Sequence, residues 1–235
     1  MNFIPGEDYG RIINEGQEHL PCAIVLDVSD SMRPYLSELK DGLDVMKSVM
    51  QENIKCVNTV DTTIITYSEH AKVVDPFKSC SEMVLPELAT ETTTSLYEAL
   101  ELAINEIQNR KEQYRLANTA YKRGWIFLFS DGYPTDAREN KDRVMALLKE
   151  KTEGKSVTVF PIAIGDQADE KALAEFTAFN ANRKGFCLRV SPENIEGCFE
   201  WLSSSVVKGA STTEDTIDLT MPPEISVITI PLDSN

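Results

Sequence analysis

The sequence turns on the run Cys22-Ala23-Ile24-Val25-Leu26, which ends abruptly at Asp27-Val28-Ser29-Asp30-Ser31. An apolar run rich in Ile, Val and Leu reads as a strand buried on both faces, as in a parallel sheet. In open parallel sheets ligands bind beyond the carboxyl ends of the strands, so this polar loop begins where chemistry is expected. Asp27, Ser29 and Ser31 alternate, and an extended turn can aim all three oxygen-bearing side chains to one side. Oxygen-only donors suit a hard cation such as Mg2+. Without the strand in front, Asp-x-Ser-x-Ser is an ordinary surface turn.

The rest of the chain supplies a scaffold for that loop. Pro34 opens a helix in which Leu36, Leu39, Leu43, Met46 and Met50 recur at helical spacing, with Gly42 either permitting close packing or weakening it. Val60 to Tyr67 reads as a strand, and after the turn Ser68-Glu69-His70 a short strand, Ala71 to Val74, returns antiparallel to it. Residues 76–94 read as a long loop ending in Thr92-Thr93-Thr94, before a helix marked by Leu96, Ala99, Leu100, Ala103, Ile104 and Ile107 that Thr94 or Ser95 can cap. Trp125 to Phe129 is a second buried strand. It ends at Ser130-Asp131-Gly132-Tyr133-Pro134-Thr135-Asp136, where Thr135 or Asp136 can cap a helix carrying Val144, Leu147 and Leu148. Val157 to Gly165 is a strand whose Pro161 points to a bulge or an exposed edge. A helix around Asp169 to Phe179 and a short strand, Phe186 to Val190, follow. Ser191 as N-cap and Pro192 at the first position open the last helix, with Ile195, Cys198, Phe199, Leu202 and Val206 on its buried face.

Strands alternating with helices indicate an α/β fold with a doubly wound, mostly parallel sheet and one antiparallel edge strand. The organisation expected is an N-terminal extension at 1–20, a domain at 21–207 and a C-terminal tail at 208–235. In that tail Ser211 to Asp215 form a flexible link, and Leu219 and Ile225 to Ile230 can pack as an added strand or serve as an interaction tail.

The net charge of −15 argues against nucleic acid, whose binding needs Lys and Arg to neutralise phosphates, and against anionic membrane surfaces. Tyr121-Lys122-Arg123 and Arg183-Lys184 read as solvated loop charge. Cys22, Cys56, Cys80, Cys187 and Cys198 show no metal-binding spacing and read as reduced, buried thiols of a cytoplasmic protein. His19 and His70 belong to no motif. The first residues lack the basic start and apolar core of a signal peptide, and no apolar segment reaches the ~18 residues of a membrane span.

Three polar loops therefore stand at strand ends or helix beginnings, carrying Asp27/Ser29/Ser31, Thr94 and Asp131. In this order they resemble the von Willebrand factor type A (vWA) domain and its metal-ion-dependent adhesion site (MIDAS): Asp-x-Ser-x-Ser, then a Thr before a helix, then an Asp after a buried strand. Thr94 directly precedes the helix and is taken over its neighbours Thr92 and Thr93. The resemblance implies the Rossmann-like vWA fold. It also implies a Mg2+ or Mn2+ ion held by the hydroxyls of Ser29, Ser31 and Thr94 and by Asp27 and Asp131, directly or through water. A protein partner would then supply an acidic side chain to the metal. The run Trp125 to Asp136, the helix Phe199 to Val206 and the tail with Leu219 and Pro222-Pro223 are similar to the bacterial tellurium-resistance TerY-type branch. That resemblance implies an intracellular interaction module acting with phosphatase and kinase-like partners in tellurite or stress signalling.

Two other readings compete. A Mg-dependent phosphohydrolase of the haloacid-dehalogenase type also places an Asp after its first strand, but it needs a second carboxylate two residues on as general acid, and Ser29 stands there. No phosphate-binding Gly-Lys loop or Ser-His-Asp arrangement is present either, so no enzymatic activity is expected. A vWA subunit of an AAA+ chelatase-type complex is the third reading.

Overall fold

The computed structural model describes residues 10–90, 92–135, 137–179, 184–212 and 220–231. Seven strands form one sheet in the order β3-β2-β1-β4-β5-β6-β7. They are β1 (Leu20–Asp27), β2 (Val60–Tyr67), β3 (Ala71–Ser79), β4 (Gly124–Ser130), β5 (Val157–Ile164), β6 (Lys184–Val190) and β7 (Ser226–Pro231). β1 lies between β2 and β4 and runs parallel to both, in register Ile24↔Ile64 and Ile24↔Phe127. β4 to β6 continue the parallel array. β3 pairs antiparallel with β2, as expected from the short turn. The tail supplies a second antiparallel edge: β7 pairs with β6, Cys187 facing Ile228. Leu219, Asp136, Arg183 and the link beyond Thr212 lie outside the described residues.

The helices are α1 (Leu36–Glu52), α2 (Ile54–Thr59), α3 (Leu96–Leu116), α4 (Arg138–Glu153), α5 (Glu170–Ala174) and α6 (Ile195–Ser211). Side chains alternate across the strands. Cys22, Ile24 and Leu26 of β1 join the core under α1 and α6, while Ala23 and Val25 join the core under α3 and α4. Every residue of β1, β2 and β4 is buried, which explains why they are mostly apolar or β-branched, with Asp61 in β2 and Asp27 and Ser130 at the strand ends as polar exceptions. Among the described residues no helix is long and apolar enough to cross a membrane.

Several local expectations need correction. Pro34 does not open α1; it lies in a 3-10 turn, Asp30–Tyr35, that precedes the helix. β3 runs on to Ser79, taking in Pro76, so the loop before α3 is shorter than 76–94. Pro76 is tolerated because β3 is an edge strand. Pro161 marks neither a bulge nor an edge, because β5 is interior. β6 pairs only with Ile162, Ala163 and Ile164, so the ladder on that side begins just past the residue that lacks an N–H. Ser191 and Pro192 open a short 3-10 turn, and α6 starts at Ile195. The helix around Asp169 is shorter than expected. Asp169 caps α5 by accepting the Ala172 N–H at 3.0 Å, and the 3-10 turn Glu175–Thr177 follows.

Lys122 is not solvated loop charge. Its ammonium donates to the carbonyls of Gly209, at 2.7 Å, and Thr212, and so holds the end of α6. His19 is likewise wholly buried. It lies 3.4 Å from Asp61, which also receives Arg110 Nη2 at 2.8 Å and the Tyr114 hydroxyl at 2.5 Å. Burial pushes the Asp61 carboxyl up, but His19, Arg110 and Tyr114 outweigh it and hold it below the usual range. Arg110 also donates to the Gly10 carbonyl at 2.7 Å, which fixes the start of the described chain against α3. The five cysteines are free and buried, and burial pushes the Cys56, Cys187 and Cys198 thiols up to about 12. They act as small apolar residues.

Candidate metal centre

The first loop is shaped by the last residue of β1. Asp27 is fully buried and Ser29 is 2% exposed. Asp27 Oδ1 accepts the Ser29 main-chain N–H at 2.9 Å, which curls the chain back over the strand end. The hydroxyls of Ser29 and Ser31 lie 3.1 Å apart, so the alternation does bring both to one side. The 3-10 turn that follows buries Met32 as an anchor. Asp30 is exposed and pairs with Arg33 at 2.5 Å, away from this cluster.

The second loop leaves β4. Ser130 Oγ donates to Asp27 Oδ2 at 2.8 Å and accepts the Gly132 N–H at 2.9 Å, so one hydroxyl ties the ends of the two central strands together. Gly132 has φ +82°, and a Cβ there would lie 2.7 Å from the Asp169 carbonyl. Only glycine meets both conditions without strain. Asp131, 6% exposed, is held between these residues, its carbonyl accepting the Asp169 N–H at 2.7 Å.

The third loop precedes α3. Thr94 is 5% exposed, whereas Thr92 and Thr93 are exposed, and this supports the choice among the three. Thr135 clamps it. The Thr135 hydroxyl accepts the Thr94 N–H at 3.0 Å, while its own N–H and hydroxyl donate to the Thr94 carbonyl at 2.9 and 3.0 Å. Of the expected caps, Asp136 lies outside the described residues, and α3 and α4 have no side-chain cap bond. Thr135 holds Thr94 while Ala137 occupies the N-cap of α4, and the Ser95 hydroxyl donates to the Glu69 carbonyl at 2.6 Å instead of capping α3. The three loops are thus bonded to one another: Asp27, Ser29, Ser31 and Asp131 through Ser130 and the strand ends, and Thr94 through Thr135.

The electrostatics of this cluster are unbalanced. Burial raises the Asp27 carboxyl to about 6, hydrogen bonds from Ser29 and Ser130 oppose the rise, and the Asp131 charge adds to it. Among the described residues neither Asp27 nor Asp131 has a Lys, Arg or His partner within 4.0 Å. The Tyr67 hydroxyl, at the end of β2, is also fully buried and has no hydrogen-bond partner among the described residues. Burial, then the charges of Asp27 and Asp131, push its phenol up. Two buried carboxylates with no cationic partner among the described residues leave this end of the sheet short of positive charge. Among the described residues no three His, Cys, Asp or Glu side chains are grouped to hold a metal, so the serine and threonine hydroxyls have to complete any donor set. Such a hydroxyl-and-carboxylate set fits a hard divalent cation.

Sequence reasoning missed three contributors. Ser130 was visible only as a turn residue, Thr135 as a candidate helix cap, and Tyr67 as a strand residue. Their roles depend on which strand ends become neighbours, and only the strand order reveals that.

Residues 22–134 match the family model of the von Willebrand factor type A domain. No curated protein matches the chain. Solved structures with the same fold include a von Willebrand factor type A protein from Catenulispora acidiphila, 15% identical with a TM-score of 0.60 over 81% of this chain and 43% of that one. The proximal thread matrix protein 1 of the mussel byssus, solved with a zinc-occupied MIDAS motif, is 16% identical with a TM-score of 0.53, over 81% of this chain and 47% of that one. BatB from Bacteroides thetaiotaomicron is 17% identical with a TM-score of 0.56, over 82% of this chain and 100% of that one. The chain spans less than half the length of the first of these structures. Asp27, Ser29, Ser31, Thr94 and Asp131 all lie inside the matched segment.

Proposed function

We propose that the protein is a metal-dependent protein-interaction module that captures an acidic side chain of a partner through a MIDAS-type site. The observation that carries this reading is the bonded convergence of three loops around two buried carboxylates with no cationic partner. Asp27, Ser29, Ser31, Thr94 and Asp131 would hold the ion. Their oxygen-only character favours Mg2+ or Mn2+, and the zinc in the mussel protein's motif shows that a relative's site accepts a divalent metal. When bound, the ion supplies an electrophilic position that a carboxylate completes. The chain's own part is to keep the donors fixed: Ser130 holds Asp27, Thr135 holds Thr94, and Gly132 lets the loop turn beneath Asp131. Five proposed donors leave an octahedral ion one position for the partner.

A binding role, not hydrolysis, is favoured by Ser29, whose hydroxyl lies 3.1 Å from that of Ser31 where a phosphohydrolase needs a second carboxylate. The tellurium-resistance reading, with phosphatase and kinase-like partners in the cytoplasm, rests on the sequence from Trp125 to Asp136, from Phe199 to Val206, and the tail with Leu219 and Pro222-Pro223. A pull-down from a source cell extract, with millimolar-order Mg2+ or with EDTA, tests the function. Partners are expected to be retained only with metal and to be lost with Ser31→Ala, which leaves the domain folded. A partner held equally in EDTA and by the Asp27→Ala/Ser29→Ala variant contradicts it.

A further inference from the structure

At the opposite end of the sheet from the three loops, α3, the turn after α4 and the amino ends of β4 and β5 border an open polar cavity of about 290 Å3. Gln108, Lys111, Glu112, Tyr121, Lys155 and Ser156 line it. Lys111 is only 7% exposed, and its ammonium donates to the Ser156 carbonyl at 2.5 Å and approaches the Ser156 hydroxyl at 3.3 Å. It lies 5.4 Å from the centre of the Tyr121 ring. Among the described residues no carboxylate comes within 4.0 Å of it, and its third N–H has no acceptor. Glu112, the acid on the cavity wall, is taken by Arg115, which donates to it through Nε at 2.9 Å.

A buried ammonium without a counter-ion costs free energy that a neutral residue of the same length would avoid. Lys111 carries that cost in a chain with an excess of acids, beside a second cation. Burial first, then the charge of Arg123, push its ammonium down to about 8. The chemistry of this cavity suits an anion. A lysine presents a compact point charge, which suits a tetrahedral oxyanion, whereas paired recognition of a planar carboxylate favours arginine. The volume is at the lower end of the ~300–1,000 Å3 range of small-molecule pockets, which fits a phosphate group with few atoms attached and not a nucleotide. The net charge of −15 does not forbid this, since charges beyond about 10 Å are screened at 0.1 M salt.

We propose that this cavity is a second binding site, for phosphate or a small phosphate monoester. Lys111 is its charged donor, Ser156 and Gln108 are its neutral partners and the Tyr121 ring is its wall. Gln108 already reaches Ser156 Oγ at 3.0 Å, so an oxyanion beside Lys111 would find both within one hydrogen-bonded group.

The test titrates the full chain with inorganic phosphate, and in a parallel arm with glycerol 3-phosphate, against chloride at equal ionic strength, following amide chemical shifts. Saturable shifts at Gly124, Gly154 and Ser156 are expected, with the stronger-binding arm telling the free ion from the ester. Lys111→Met, which keeps the length of the side chain, should weaken binding at least tenfold. Gln108→Ala leaves the ammonium and its Ser156 contact in place, should weaken binding several-fold, and serves if Lys111→Met does not fold. Shifts that grow linearly without saturation, or the same affinity in a folded Lys111→Met and in Gln108→Ala, overturn the proposal.

Discussion

At the scale of the residue, Asp27 shows what the site costs the fold. Its carboxyl titrates at about 6 in the folded protein against an ordinary 3.8. The folded chain therefore holds this proton more tightly than the unfolded chain. Stability from this group is greatest below the ordinary value, falls as the pH rises through that window, and stays lost above about 6. The gap corresponds to roughly 3 kcal/mol. Asp27→Asn removes the charge, and Ser130 Oγ can accept from the new amide. In EDTA at pH 8 the variant should unfold about 1–3 kcal/mol harder than wild type in urea, with the advantage shrinking towards pH 4. It should also lose all response to divalent metal. A variant no more stable than wild type at pH 8 would show that Asp27 is not held as a destabilised anion. Asp27, Ser29 and Ser31 were legible because they follow a buried strand. Ser130, Tyr67 and Thr135 were not, because a serine after a strand and a tyrosine ending one look the same whether or not they face a carboxylate.

At the scale of the element, two packing features hold the platform on which the loops sit. α1 meets α6 at Gly42, where a Cβ would lie 2.2 Å from the Phe199 ring, and that ring stacks on Phe129 of β4 with centroids 4.4 Å apart. Gly42 therefore permits close packing, and the weaker helix is accepted for it. Gly42→Ala should lower stability by about 1–3 kcal/mol despite alanine's better helix propensity, because the aromatic stack has to shift. A melting temperature raised by this change would refute the close contact. The second feature is the buried group around Asp61. Asp61→Ala leaves Arg110 buried without its anion and should cost about 3–5 kcal/mol in denaturant unfolding; a loss under 1 kcal/mol, the range of exposed pairs, would mean that water reaches the guanidinium. The strands β1 and β4 were plain in the sequence because burial on both faces leaves no polar position. Asp61 was not, because a charged residue at the start of a β-rich stretch reads as an exposed end. Pro161 misled because a proline's tolerance depends on where the neighbouring ladder begins, and β6 starts late.

At the scale of the whole molecule, the sheet puts an acidic, hydroxyl-lined site at one end and a lysine-bearing cavity at the other. The doubly wound parallel core was legible from the alternation of buried strands with helices. The second antiparallel edge was left open, because Ile225 to Ile230 carries no signal that tells an added strand from an unattached tail. The central claim is that the three loops form one cation-binding site, so that a cation binding the folded state alone must stabilise it. The direct measurement is the melting temperature of the EDTA-treated protein across a titration of Mg2+ and of Mn2+, alongside Ser29→Ala, Thr94→Ala and the exposed neighbour Thr92→Ala. At about 100 times the dissociation constant the gain is ~2.7 kcal/mol, or roughly 5–10 °C for a chain of this size. That rise is expected in wild type and Thr92→Ala and is expected to shrink in Ser29→Ala and Thr94→Ala. A wild-type melting curve that stays the same in EDTA and across millimolar-order Mg2+ and Mn2+ would contradict the claim.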